Sequence, residues 1–361
     1  MTEYICRNCS QPYPETGLPH ACPQCGGAFT VRNLSFTPPS ATPGNSRGIW
    51  RFAKTFGLPE SYPTTYLGEG NTPLVPVTIH GKVLWAKLEN LNPSGSFKDR
   101  ATAVLTSVLK GRNLLNVIED SSGNAGGSLA LYSSAFGIHS RIYIPSGTSG
   151  PKRRQIEACG AKVVQVDGPR ENAHKAALEA VGREGLPYAS HAAQPFGMAG
   201  IATIAFEIWE ALGEMPGSIF CPIGHGSLFA GVLMGFDALV QAGMAPRRPR
   251  LVGVQPEACA PVVSTWQNKP FSGSLPSSLA EGTMVESPAR KEEILSSLDR
   301  KQDQIVSVTE IEIAEAHQAL IRAGLYVEPT SAMAFAASTK VAETPGKSVL
   351  ILSGSGLKSN K

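Results

Sequence analysis

The sequence lacks the features that would assign a chain to a membrane, to secretion or to a polyanion. No run approaches the roughly 18 apolar residues that a membrane-spanning helix needs. The opening residues, MTEYIC, show no basic segment followed by an apolar one, so no secretory signal is predicted. Basic and acidic residues nearly balance, 32 against 29, for a net charge of +3. We therefore expect a cytoplasmic protein with no membrane partner and no general affinity for nucleic acid.

The composition is that of a globular protein. Hydrophobic residues make up 42% of the 361 residues and charged residues 17%, which excludes a disordered chain. This length predicts one large domain or two medium ones with a sizeable core.

The cysteines are concentrated near the start of the chain. Two CxxC pairs, separated by twelve residues, contain Cys6, Cys9, Cys22 and Cys25. Paired thiolates on two tight turns predict a zinc-ribbon-like module over residues 1–34 with a structural zinc ion. Two disulfides, or a ribbon that has lost its metal, are the alternatives. Few basic residues lie nearby, so we do not expect this module to bind nucleic acid.

After a proline-rich connector over residues 33–66, the pattern becomes regular. A hairpin is predicted through 75–77 and 83–87. Short β-rich runs then alternate with helical stretches; the runs are 117–118, 141–144, 162–166 and 219–222, and the helices 128–136, 151–159, 171–184 and 198–212. This alternation predicts an α/β fold with parallel sheets covered on both faces, where ligands bind beyond the carboxyl ends of the strands.

One lysine lies at the junction between a loop and a helix. Residues 89–100 read ENLNPSGSFKDR and are followed by an apolar helical pattern, so Lys98 falls in the first helical turn. Backbone N–H groups and the helix dipole disfavour an ammonium there, which suits Lys98 to a Schiff base with an aldehyde cofactor. An ordinary loop-to-helix junction with a solvated lysine is the alternative.

Two turns of small residues follow predicted strands. The first, DSSGNAGGS over residues 120–128, is suited to an anion, although Ser121 or Ser122 could instead cap the next helix. The second, GHGSLFAG over residues 224–231, is suited to a phosphate. It matches neither a Walker loop nor a dinucleotide fingerprint.

These motifs, together with GEGNTPL at 68–74 and the strand and turn VLILSGSGLK at 349–358, resemble the fold-type II pyridoxal phosphate (PLP) enzymes and, among them, the threonine synthase family. The resemblance covers the whole chain and implies two three-layer αβα domains with mostly parallel sheets, plus the small N-terminal module. The implied domains are the module at 1–34, a connector and first part of the large domain at 35–100, a small mobile domain at 101–199, and the rest of the large domain at 200–361.

The resemblance also implies roles for individual residues. Lys98 would be the catalytic residue that carries PLP, Asn124 would bind the 3′ oxygen of PLP, and Ser353 would face its pyridine nitrogen. The loop that would hold the PLP phosphate consists of Gly224, His225, Gly226, Ser227 and Leu228. The residues that would bind the substrate are Lys87, at its phosphate, and Ser121, Ser122, Gly123 and Ala125, at its carboxylate.

The chain departs from the family at two substrate positions. Ala125 stands where the family has a threonine, and the segment that carries the family's arginine reads SHAAQPFG at 190–197, where His191 could replace part of the contact. We expect a homodimeric lyase in amino-acid biosynthesis that converts O-phosphohomoserine and water to threonine and phosphate. The alternatives are a related β-eliminating or β-replacing PLP enzyme, similar to serine/threonine dehydratases or to cysteate and cysteine synthases, and a non-catalytic PLP-binding or interaction protein.

Overall fold

The computed structural model describes residues 2–39, 47–148 and 150–358, so residues 40–46 of the predicted connector lie outside the described residues. In chain order the strands are β1 (Glu3–Cys6), β2 (Phe29–Arg32), β3 (Leu74–Ile79), β4 (Lys82–Lys87), β5 (Asn116–Glu119), β6 (His139–Pro145), β7 (Lys162–Val166), β8 (Ser218–Pro222), β9 (Arg250–Pro256), β10 (Gln304–Val308) and β11 (Ser348–Ile351). The α-helices are α1 (Lys98–Gly111), α2 (Asn124–Ala135), α3 (Gly150–Ala158), α4 (Arg170–Glu184), α5 (Phe196–Leu212), α6 (Ser227–Gln241), α7 (Pro261–Trp266), α8 (Lys291–Ser297), α9 (Glu310–Arg322) and α10 (Pro329–Lys340).

The chain divides into two compact units. Unit 1 comprises Met1–Gly70 and Lys98–Ile201, and unit 2 comprises Asn71–Phe97 and Ala202–Ser359. The boundaries predicted after residues 34, 100 and 199, and the mobility of residues 101–199, remain predictions.

Unit 1 contains a parallel sheet with helices on both faces. Its strand order is β5-β6-β7. On β6, Ile142 and Ile144 pack with Ala130 of α2, whereas the intervening Tyr143 packs with Ala177 of α4. Because successive side chains of a strand point to opposite faces, this alternation produces three layers, as predicted. The N-terminal residues form a separate antiparallel pair, β1 with β2.

Unit 2 contains a six-stranded sheet in the order β10-β9-β8-β11-β4-β3. Every pairing is parallel except the hairpin of β3 and β4. Val252 and Val254 of β9 belong to the core that contains residues of α9 and α10. Gly253, between them, points the other way, since a Cβ there would lie 3.1 Å from the ring of Phe229 in α6. Helices therefore cover both faces of this sheet as well.

Local details confirm part of the sequence reading and correct part of it. The predicted hairpin is present, and His80 and Gly81 turn it with φ values of 50° and 76°. The helix predicted from residue 128 begins four residues earlier, at Asn124. The prediction missed its first turn because the small residues there carry no apolar pattern. The alternative in which Ser121 or Ser122 caps this helix is wrong, since Gly123 is the N-cap residue and no side chain caps it.

Helix length bears on membrane association. Within the described ranges, none of the helices combines the length and the apolar character that crossing a bilayer demands.

Candidate functional site

Lys98 lies in a small cavity of unit 1. It is the first residue of α1, as predicted, and its side chain is partly exposed. The cavity is built from the end of β5, the first turns of α1 and α2, and the segment before α5. The lining residues are Lys98, Ala101, Thr102, Leu105, Glu119, Ala125, Leu129, Ala189, His191, Gln194 and Gly197.

The amine of Lys98 has a lowered pKa. The pKa of Lys98 is lowered to about 8: burial is the main cause, the carboxyl of Glu119 opposes it, and the charge of Arg170 adds a smaller lowering effect. A lysine in this range is partly uncharged near neutral pH, so it can act as a nucleophile and as a base. The sequence analysis attributed a lowered pKa to the helix N-terminus, whereas burial is its main cause in the structure.

Glu119 is a functional candidate that the sequence analysis missed. It ends β5 with 1% of its surface exposed. It accepts a hydrogen bond from the backbone N–H of His191 at 3.1 Å, and its Oε1 lies 2.9 Å from Nδ1 of the same residue. Burial and the neighbouring charge of Asp120 raise the pKa of Glu119 well above its usual range. The available signal was a glutamate that closes a buried strand directly after Val117 and Ile118.

The ring of His191 is held neutral. Burial lowers its pKa well below the usual value, and the charges of Lys98 and Arg170 act in the same direction. A neutral ring that carries its proton on Nδ1 donates to Glu119. The sequence analysis considered His191 only as a replacement for the family's arginine. In the structure its ring contacts the carboxyl of Glu119.

Asp120 is a second carboxylate beside the first, with different partners. The hydroxyl of Tyr188 donates to its Oδ1 at 2.5 Å, and His174 Nδ1 lies 3.0 Å from its Oδ2. Although burial alone would raise the pKa of Asp120, these two hydrogen bonds lower it below the usual range. The same contact with Asp120 raises the pKa of His174.

The small-residue turn after β5 is a tight one. The N–H of Gly123 donates to Ser121 Oγ at 3.3 Å. A Cβ on Gly126 would lie 1.9 Å from the carbonyl oxygen of Ser121, so only glycine allows this approach. Asn124 and Ala125 begin α2, where a helix N-terminus presents backbone N–H groups. The turn and the start of α2 therefore present backbone N–H groups, and the anion site predicted for residues 120–128 remains a prediction.

Unit 2 contains the second glycine-rich turn, between β8 and α6. Gly226 is the N-cap residue of α6 with φ 97°, and a Cβ there would lie 2.9 Å from Cβ of Arg290. The carbonyl oxygen of His225 accepts the N–H of Arg290 at 3.0 Å. Ser227 and Leu228 form the first turn of α6, so their N–H groups lie at the positive end of the helix dipole. This turn can hold a phosphate.

Ser353 follows β11, and its hydroxyl donates to Glu328 Oε1 at 3.0 Å. Its Oγ also lies 3.1 Å from Ser331 Oγ, and its carbonyl oxygen accepts the N–H of Phe97 at 3.0 Å. The neutral hydroxyl predicted to face a pyridine nitrogen is thus hydrogen-bonded to a carboxylate. The sequence analysis assigned no role to Glu328.

Lys87 ends β4 as part of a buried ion pair in unit 2. Its Nζ lies 2.6 Å from Glu207 Oε2 and 2.7 Å from the carbonyl oxygen of Thr72. The two charged side chains are 1% and 3% exposed. A carboxylate thus compensates the ammonium that was predicted to contact a substrate phosphate, and that role remains a prediction.

The four N-terminal cysteines come together in unit 1. All four Sγ atoms lie within 4.8 Å of one another, and the shorter separations are 3.4 to 3.7 Å. Zinc with bonds of about 2.3 Å in a tetrahedral site spaces its sulfurs by about 3.8 Å, so this donor set fits zinc. The thiols form no disulfide among the described cysteines, which excludes that alternative in this structure.

Comparison with known proteins decides the family. The family described as pyridoxal-phosphate dependent enzyme matches residues 65–354. Threonine synthase of Synechocystis sp. is 31% identical, over 89% of this chain and 87% of the relative. The chain belongs to the threonine synthase family of pyridoxal-phosphate dependent enzymes. Threonine synthase of Methanocaldococcus jannaschii is 28% identical over 98% of this chain and 92% of the relative.

Solved structures of this enzyme class share the fold. The threonine deaminase of T.th. superposes with a TM-score of 0.66 at 26% identity, over 79% of this chain and 92% of that one. Maize serine racemase superposes with a TM-score of 0.67 at 22% identity, over 79% and 88%. Family membership confirms the predicted fold-type II architecture, the PLP cofactor and the class of PLP-dependent, threonine synthase-like lyase. The roles of individual residues remain predictions.

The ion pair of Lys87 and Glu207 generates a stability prediction. Glu207→Gln leaves a buried ammonium without its counter-charge, so we expect the free energy of unfolding to fall by about 3–5 kcal/mol. The double variant Lys87→Met/Glu207→Leu should recover most of that loss, because it removes both charges. Urea unfolding of the single and double variants measures both effects.

The control is an exposed pair of the same unit. Lys347 lies 2.6 Å from Glu214, with 34% and 58% of the side chains exposed. Glu214→Gln should cost about 1 kcal/mol at most. Equal losses for Glu207→Gln and Glu214→Gln would contradict a dominant role of the buried charge.

Proposed function

We propose that this protein converts O-phosphohomoserine and water to threonine and phosphate, with PLP carried by Lys98. The observation that carries the proposal is a lysine with a pKa near 8 at the start of α1, in a chain 31% identical to a threonine synthase. Water supplies the hydroxyl of threonine, and the bond from Cγ to the phosphate ester oxygen breaks.

The residues present fit the cofactor. The turn at 224–228 has the glycine geometry and helix N-terminus that suit the PLP phosphate. Ser353 would face the pyridine nitrogen, and Asn124 would bind the 3′ oxygen. When bound, PLP supplies an electron sink that makes the substrate α-proton acidic.

The remaining chemistry belongs to side chains and backbone of this chain. As an amine, Lys98 takes the α-proton and then moves protons at the β-carbon until the γ-phosphate leaves. We assign the N–H groups of the turn at 121–125 to the substrate carboxylate, which holds the α-carbon in place. Lys98 then returns the two protons, one to Cγ, which becomes the methyl group of threonine, and one to the α-carbon. Water adds its hydroxyl at the β-carbon, and its remaining proton leaves with the phosphate.

A second candidate function is elimination or replacement at the β-carbon of serine, threonine or a phosphorylated serine. Three observations support this second candidate: Lys87 is paired with Glu207, Ala125 carries no hydroxyl, and His191 contacts the carboxyl of Glu119. A departing phosphate dianion needs cationic partners, each contributing about 1.5–3 kcal/mol through charge-assisted hydrogen bonds. A departing hydroxyl makes a smaller demand.

The cofactor assignment is testable by reduction with borohydride. We expect the reaction to fix the cofactor covalently on Lys98, and peptide mapping to find the adduct there. Lys98→Ala should keep the fold and lose turnover, because it removes both the anchor and the proton carrier. Lys110→Ala, a change at the other end of α1, is the control and should retain the adduct. An adduct on another lysine would overturn the assignment.

The substrate is testable with a panel of amino acids. The enzyme is given O-phosphohomoserine, serine, threonine and phosphoserine in turn, while phosphate, ammonia and 2-oxo acid release are followed in parallel. We expect phosphate release from O-phosphohomoserine with threonine as the product. Faster ammonia and 2-oxo acid release from serine or threonine would replace the synthase by the second candidate.

We further propose that Cys6, Cys9, Cys22 and Cys25 hold one structural zinc ion. The donor set supports this, because four thiolates close the coordination sphere and leave no position for substrate. A homodimer remains an expectation from the family resemblance, and a cytoplasmic location remains an expectation from the sequence.

Metal analysis tests the zinc site. Freshly purified, reduced protein should contain about one equivalent of zinc, and Cys22→Ser should lose it. Cys159→Ser, a change at a cysteine outside the cluster, should retain it. Chelation should accelerate hydrogen exchange within residues 3–34 more than it slows turnover. Less than half an equivalent in the unmodified protein would indicate a ribbon that has lost its metal.

A further inference from the structure

The cavity of Lys98 contains a carboxyl that the proposed mechanism does not use. Glu119 and His191 line this cavity together with Lys98. Glu119 is almost fully buried, and two N–H groups of His191 donate to its carboxyl. A buried carboxyl in such a place costs stability unless its charge is compensated. Lys98 lines the same cavity as Glu119, and the charge of each favours the charged form of the other.

The other charged groups around this pair act differently. Arg170 of α4 disfavours the ammonium form of Lys98. Asp120 disfavours the carboxylate form of Glu119, while its own charge is held by His174 and Tyr188. Burial and Arg170 therefore favour the neutral form of Lys98, and burial and the charge of Asp120 favour the neutral form of Glu119. The charge of each group favours the charged form of the other.

We propose that Glu119, oriented by His191, is a positioning residue that sets the protonation state of Lys98. This inference rests on the proposed role of Lys98 as the proton carrier. When Lys98 takes a proton from substrate, the resulting ammonium lies in a buried cavity where it needs a counter-charge. The carboxylate of Glu119 supplies that charge. The contacts of His191 hold the carboxyl in one orientation, and its backbone N–H favours the anionic form against burial and the charge of Asp120. In this step the Cα–H bond of the substrate breaks and an N–H bond of Lys98 forms, while Glu119 and His191 exchange no proton.

The test measures the titration of Lys98 in the full-length protein before cofactor is added. An amine-acylating reagent is applied across a range of pH, and mass spectrometry quantifies the peptide that contains Lys98 relative to the exposed Lys175. In the unmodified protein we expect a midpoint of about 8. Glu119→Gln keeps the shape and removes the charge, so the midpoint should fall by about one pH unit or more, because the ammonium loses its counter-charge. An unchanged midpoint would overturn the proposal.

The matched control is another buried carboxyl of unit 1. Glu69 is 0% exposed and accepts hydrogen bonds from Trp50 and Tyr132, but it does not line the cavity of Lys98. Glu69→Gln should leave the midpoint of Lys98 unchanged. A shift equal to that of Glu119→Gln would show that general loosening of the unit is the cause, which would also overturn the proposal.

Two variants at His191 test the orienting role. His191→Leu removes the ring donor but keeps the backbone N–H, so the midpoint should fall by less than in Glu119→Gln. His191→Asn restores a side-chain N–H and should return the midpoint toward the value of the unmodified protein. A midpoint that both variants leave unchanged would remove His191 from the proposal.

The loaded enzyme provides the second readout. With PLP and substrate present, the acid limb of the kcat profile should move to lower pH in Glu119→Gln, in step with the acylation midpoint. A uniform loss of kcat without a shift would indicate a merely structural role and overturn the proposal. The acylation result needs no bound cofactor, so failure of borohydride to fix PLP on Lys98 would refute the cofactor assignment alone.

Discussion

Compensation of buried charge is the constraint on which the chemistry of Lys98 depends. An ammonium taken out of water loses solvation, and this loss brings the pKa of Lys98 to about 8. The carboxylate of Glu119 also loses solvation, and this loss raises the pKa of Glu119. The two groups titrate together, because the charge on each favours the charged form of the other. The fold creates this situation by ending β5 and beginning α1 at one cavity.

At Lys87 the buried charge is compensated in a different way. There the carboxylate of Glu207 lies 2.6 Å from the ammonium, and the carbonyl oxygen of Thr72 adds a second contact. Direct contact favours both charged forms and produces a fixed ion pair. The carboxyl of Glu119 is instead occupied by the N–H groups of His191 and lies next to Asp120. Lys98 therefore keeps access to its amine form, which a base requires and a structural cation does not.

The sequence predicted those parts of the fold and site that depend on local constraints. The alternation of strands and helices, the hairpin at His80 and Gly81, and the position of Lys98 at a helix start all follow from neighbouring residues. The pairing of His191 with Glu119 joins residues 72 positions apart, and that of Ser353 with Glu328 joins residues 25 apart. No local pattern reveals such partners. The first turn of α2 was missed for the opposite reason, since its small residues carry no periodic signal.

The family resemblance alone does not determine the leaving group, because its release depends on the charges that surround it. Release of phosphate creates a dianion, and a lysine already paired with a carboxylate contributes little net charge toward it. For Lys87 to hold a substrate phosphate, that phosphate must compete with Glu207 at 2.6 Å, or Glu207 must take up a proton. A substrate with a hydroxyl leaving group requires neither change. Family membership thus accounts for the cofactor, whereas the proposed contact of Lys87 with a substrate phosphate requires the pair of Lys87 and Glu207 to open.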